Sequence, residues 1–152
     1  MPIPSLPSFL TLSAELCGIS VFTLQGTGCA ELYYSTLTGV VGQVLVAELL
    51  AAFAALPSDP ASRATALRAT ILGNEKLGPV ARNIVKLWYV STWFELPHEW
   101  RQQFGVPPTD RTFIPSPYAY PEGLLWWSVG SHPSGAKATG YASWTEPPAI
   151  PS

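Results

Sequence analysis

The chain has 152 residues, one domain's worth, enough to bury a sizeable core. Its net charge of −2 supplies no bulk attraction to nucleic acid, so no nucleic-acid partner is expected. Only 12% of residues are charged, about half the usual share, which implies that much of the surface is built for something other than solvent.

The first residues, MPIPSLPSFLTLSAELCG, contain no basic n-region, no long apolar core and no twin arginine, so no targeting peptide is expected there. SFLTLSAELCG predicts a first helix. Ser8 would cap it, Phe9, Leu12 and Leu16 recur at helical spacing, and Gly18 would stop it. GTGCAELYYSTLTG predicts a second helix, with Thr27 as cap and Gly39 as stop. Val40 to Leu56 reads as a third, nearly apolar all round, which suits either the centre of a bundle or a face covered by another chain. Gln43 and Glu48 interrupt this run, and it falls short of the ~20 residues that span a bilayer, so a buried helix is the better reading.

In LPSDPASRATALRATILG, Asp59 is placed to cap, Pro60 to take the first helical position and Gly73 to end a fourth helix. A fifth begins at Pro79, with Val80, Ile84, Leu87 and Trp88 along one face. Residues 63–86 carry Arg63, Arg68, Lys76, Arg82 and Lys86 against Glu75 alone. Such a stretch is either a solvated helical face or a docking face for an acidic patch.

Ten of the 16 prolines lie at Pro97 or beyond, and the helical period fades there. The predicted fold class is therefore all-α: a small bundle of about five helices over residues 1–96, then an irregular Pro/Gly/aromatic arm over 97–152. The arm carries Trp126, Trp127, Tyr141 and Trp144, whereas disordered segments avoid aromatics, so it reads as a binding element.

Catalytic constellations are hard to assemble. His98 and His132 are lone loop histidines, which serve more often in packing or hydrogen bonding than in catalysis. There is no H-E-x-x-H, no C-x-x-C, no phosphate-binding glycine loop and no serine elbow. No catalytic, cofactor-binding or metal-binding residue is assigned, and a non-enzymatic role is expected. Cys17 and Cys29 flank a turn. In an oxidising compartment they could pair, in the cytosol they would be two small apolar side chains, and Cys29 could instead pair with another chain.

Three segments carry a family likeness: FLTLSAELCG, IVKLWYVSTWF and EGLLWWSVGSHPSGAKATGYASWTEPP. They resemble the small subunit of bacterial FAD-dependent sugar and polyol dehydrogenases, the group of the sorbitol, fructose and glucose dehydrogenase small subunits. The match is most specific over Trp126, Gly130, His132, Pro133, Gly135, Ala136, Lys137, Gly140, Tyr141 and Trp144.

The resemblance implies a non-catalytic, chaperone-like helical subunit that wraps a large flavoprotein of the GMC oxidoreductase type. It places FAD, and often an iron–sulfur cluster, in that partner and none in this chain. It also implies a periplasmic complex exported by a twin-arginine (Tat) signal, joined in some members by a multihaem cytochrome c, with membrane association only through the complex. The residues expected at the partner interface are Trp93, Trp126, Trp127, His132, Pro133, Lys137, Tyr141 and Trp144. The alternative is a stand-alone helical enzyme or ligand-binding protein whose aromatic tail closes its own pocket.

Overall fold

The computed structural model describes residues 5–125, and among these the fold is all-α, with no strand. The helices run in the order α1 (Leu6–Cys17), α2 (Val21–Gly26), α3 (Ala30–Val41), α4 (Gln43–Ala54), α5 (Pro60–Leu67), α6 (Leu77–Val90) and α7 (His98–Phe104). Arg68–Leu72 continues α5 as a π-helical turn, and Tyr120–Glu122 forms a 3-10 turn.

Local signals explain most of the boundaries. Gly18 ends α1 in a left-handed conformation, its N–H donating to the Ala14 carbonyl at 2.9 Å. The Asp59 carboxylate accepts the Ser62 N–H at 3.0 Å, and Pro60 opens α5 with a ring already set for the helix. The same contact with Ser62 holds the Asp59 carboxyl below its usual range.

Other boundaries differ from expectation. A short helix, α2, precedes Thr27, started by Ser20, whose hydroxyl accepts the Thr23 N–H at 3.1 Å. α3 runs through Gly39 to Val41, and the break falls instead at Gly42, with φ 88 and ψ 155. Only glycine enters that region cheaply, so Gly42 becomes an elbow that turns α4 by 116° from α3. The long apolar run is thus shared between two short helices, and no single helix is long and apolar enough to cross a membrane among the described residues.

The helix at the centre is α6, not α4. It buries Leu77, Val80, Ala81, Asn83, Ile84, Leu87 and Trp88. α4 buries Leu45, Val46, Leu49 and Phe53, and turns Val44, Ala47, Ala51 and Ala54 outward. Its outward side is mostly alanine, which costs little when exposed, with Val44 the one large apolar side chain left there. Trp88 sits at the middle of the core, edge-on to Tyr33 at 4.9 Å and stacked on Phe9 at 6.3 Å between ring centroids.

The expected boundary at residue 96 is also corrected. Residues 97–125 are not an extended arm: they form α7, pair with the end of the bundle and bury Trp100, Asp110, Ala119 and Leu124. LPHEWRQQFG carried the signal for this helix, with Trp100 and Phe104 four apart and Gly105 as stop, but the surrounding prolines masked it. Trp100 Nε1–H donates to the Lys76 carbonyl at 2.8 Å, which ties α7 to the start of α6.

Candidate partner-binding surface

Past the end of α6 the chain doubles back on itself. Trp93 and Phe113 form an antiparallel bridge, each N–H donating to the other's carbonyl at 2.9 Å. Asp110 closes this loop from within. Its carboxylate is buried and accepts Trp93 Nε1–H at 2.8 Å and the Leu96 N–H at 3.1 and 3.2 Å. Arg101 Nε lies 3.3 Å from Asp110 Oδ2, an ion pair whose alignment falls short of a hydrogen bond, while Arg101 Nη1 reaches Glu95 at 3.3 Å.

The reading of Trp93 as a partner contact is corrected by this geometry. Its ring is fully buried in its own chain because Asp110 supplies the one strong acceptor an indole N–H needs away from water. Asp110 and Arg101 were missed at the sequence level. PPTDRTF offers no periodicity, and nothing in it marks the aspartate as the acceptor for a tryptophan 17 residues upstream.

Strand alternation at the bridge turns Phe94 and Ile114 away from the Trp93 side, and both are exposed. Lys86 Nζ stands 5.0 Å from the centre of the Phe94 ring, and the Arg111 guanidinium 5.8 Å from that of Phe113. Tyr118, 89% exposed, and Tyr120 follow on the same returning segment. That segment is seated on α6: a Cβ added at Gly123 would come within 2.7 Å of the Tyr89 carbonyl oxygen, so only glycine permits the approach. Leu124 is buried, and the described chain ends at Leu125, half in solvent. A second exposed aromatic, Phe22 at 85%, stands on α2.

Trp126, Trp127, His132, Pro133, Lys137, Tyr141 and Trp144 lie outside the described residues. The basic stretch is largely engaged within the bundle. Arg63 Nε bonds both carboxylate oxygens of Glu15 at 2.8 and 2.9 Å, Lys76 reaches Glu48 at 3.0 Å, and Arg82 donates to the Leu72 carbonyl at 2.8 Å.

Cys17 and Cys29 are both thiols, and the bridge considered between them is not formed. Cys29 donates to the Thr27 carbonyl at 3.5 Å, within its own turn. Burial pushes the Cys17 thiol up to about 12 from an ordinary 9.0. Its stabilising contribution is therefore complete below pH 9 and is lost as pH rises from 9 toward 12. Cys17 should react with iodoacetamide at pH 8 more than about tenfold slower than free glutathione, as followed by mass spectrometry. A rate equal to glutathione would show an accessible, unperturbed thiol.

The Tyr33 hydroxyl donates to Ser91 Oγ at 3.0 Å, deep in the core. Burial raises its phenol, and Cys29 and Glu122 add to the rise. Ser91 holds the chain there in a left-handed conformation, φ 50, at the end of α6. Among the described residues no group of three His, Cys, Asp or Glu side chains is arranged to hold a metal. His98 opens α7 on the surface.

An open cleft of about 550 Å³ lies between the Gly42 elbow and α7, lined by Val40, Val44, Leu45, Trp100, Phe104, Val106 and Pro107 with Lys76 at its edge. No protein-family model, curated protein or solved structure matches the chain.

Proposed function

We propose that this chain is a non-catalytic accessory subunit that binds and stabilises a large FAD-containing sugar or polyol dehydrogenase of the GMC type. On this reading the aromatic residues from Trp126 to Trp144 take part in binding the partner. FAD, and in some complexes an iron–sulfur cluster, belong to that partner, and a multihaem cytochrome c can join the assembly in the periplasm.

The observation that supports the reading is the set of large side chains left in solvent where the described chain ends. Tyr118 is 89% exposed, and Phe94, Ile114, Tyr120 and Leu125 join it, just before Trp126 and Trp127. Tyrosine is among the side chains that anchor interfaces, and large side chains left in solvent along one segment suit a second protein.

The test is co-purification. Tagged full-length chain should bring down a flavoprotein, recognised by its absorption near the flavin maximum and by mass spectrometry. Truncation after Leu125 should abolish that capture while leaving helix content unchanged by circular dichroism. The cut belongs there and no earlier, because Leu124 is part of the core. Full-yield capture by the truncated chain would remove the arm from the interface.

The cleft beside Gly42 favours a second reading, a stand-alone ligand-binding protein whose tail closes over its own pocket. Under that reading the chain expressed alone is a monodisperse monomer that needs no flavoprotein to stay soluble.

A further inference from the structure

We propose that the cleft between the Gly42 elbow and α7 binds a small aromatic anion of the carboxylate or sulfonate class, its rings against Trp100 and Phe104 and its charged group on Lys76. The site is the cleft of the second reading, and it holds equally in a subunit, because every residue it uses lies between Gly39 and Thr109.

Three segments build the walls, and hydrogen bonds tie them together. Trp100 Nε1–H donates to the Lys76 carbonyl at 2.8 Å, fixing α7 to the start of α6. Thr109 Oγ1 donates to the Gly39 carbonyl at 3.4 Å, fixing the turn after α7 to the end of α3. The cleft is therefore formed before a ligand arrives, and binding has little left to order. Its volume of about 550 Å³ is that of a site for one small molecule.

The lining is apolar apart from a single charge. Trp100 and Phe104 set their rings 5.4 Å apart between centroids, tilted by 54°, and Pro107 and Pro108 add two rigid rings beside them. Val44 and Val106 also line the cleft, and they stand 84% and 59% exposed. A ligand with an aromatic body would take that apolar area out of water.

Lys76 is the one charged side chain among the described residues of the lining. Its ammonium lies 5.9 Å from the centre of the Phe104 ring, so charge and ring are presented together. No carboxylate, amide or hydroxyl side chain is among those residues, and the Trp100 indole is a donor already engaged. The neighbouring acids stay outside: Glu48 contacts Lys76 at 3.0 Å, and Glu75 accepts from Gln103 at 3.2 Å. The Lys76–Glu48 pair is one contact between partly exposed groups. Such a pair is weak and leaves the ammonium with further N–H donors. An apolar cleft whose one charge is positive selects an anion over a neutral or cationic body of the same shape.

The purified full-length chain can be titrated with anilinonaphthalene sulfonate, a fluorescent aromatic anion, and with its neutral parent, phenylnaphthylamine. The sulfonate should bind with a dissociation constant on the order of tens of micromolar, and the neutral parent about fivefold more weakly. Naphthoate should displace it, since a carboxylate offers the same charge. Lys76→Met should remove the difference between the two dyes, and Glu48→Gln should enlarge it by freeing the ammonium. Val44→Glu, which sets an acid at the cleft, should weaken the sulfonate more than about tenfold. Val44 and Glu48 are exposed, so the melting temperature and helix content of their variants should stay those of the wild type.

Equal affinity for the two dyes, or sulfonate binding that neither Lys76→Met nor Val44→Glu alters, would overturn the anion site. So would a folded chain that binds neither dye, whereas monodispersity of the chain alone decides the second reading separately. A dimer of the chain that Val44→Glu dissociates would give the cleft to a second copy and overturn the proposal as well.

Discussion

Asp110→Ala should lower the stability of the fold by about 3 kcal/mol and its melting temperature by roughly 10 °C. The carboxylate is buried and is the acceptor for two donors, Trp93 Nε1–H and the Leu96 N–H, and the ion partner of Arg101. Alanine leaves those donors without acceptors in a site closed to water, where each unsatisfied group carries its full desolvation cost. Asp110→Asn keeps one oxygen but points an amide N–H₂ at the remaining donors, so it should recover only part of the loss. Thermal melts followed by circular dichroism read both variants. A melting point unchanged by alanine would mean that the 93–113 loop stays in place without its central acceptor.

Trp88→Ala should cost more, about 4 kcal/mol, because it empties the middle of the core. The indole is 1% exposed and touches the rings of both Phe9 and Tyr33. Trp88→Phe should cost much less than alanine. The indole Nε1–H has no hydrogen-bond partner, so phenylalanine removes a buried orphan donor along with one ring. The comparison separates volume from polarity: equal losses for the two variants would show that the N–H is satisfied in solution. Denaturant titration, with the slope checked for constancy, supplies the values.

What the residues disclosed in advance depended on how local the cause was. Caps and stops made by neighbours in sequence were legible: Asp59 and Pro60 at α5, Gly18 at α1, and the 77–90 stripe of Val80, Ile84 and Leu87. The Gly42 elbow was not, because Gly39 nearby offers the same signal and only tertiary packing selects between them. The 97–125 segment was misread for a related reason. Its order comes from Asp110, the 93–113 bridge and the Gly123 seat on Tyr89, all contacts with residues outside the segment. Trp93 was placed on the right kind of surface for a tryptophan but on the wrong side of the chain, since a single buried acid decided its direction. The cation–ring pairs of Lys86 and Arg111 depend on that same folding-back.

The central position of α6 also sets a schedule for synthesis. Leu12, Leu37 and Leu49, all fully buried in the finished fold, belong to helices made well before α6. They can pack on one another, but the core they share is not complete until Trp88 has left the ribosome, which at about 5–20 residues per second is a wait of several seconds with part of their apolar faces uncovered. A nascent chain of this order invites early capture by chaperones, and its N-terminal half expressed by itself should aggregate where the full chain does not.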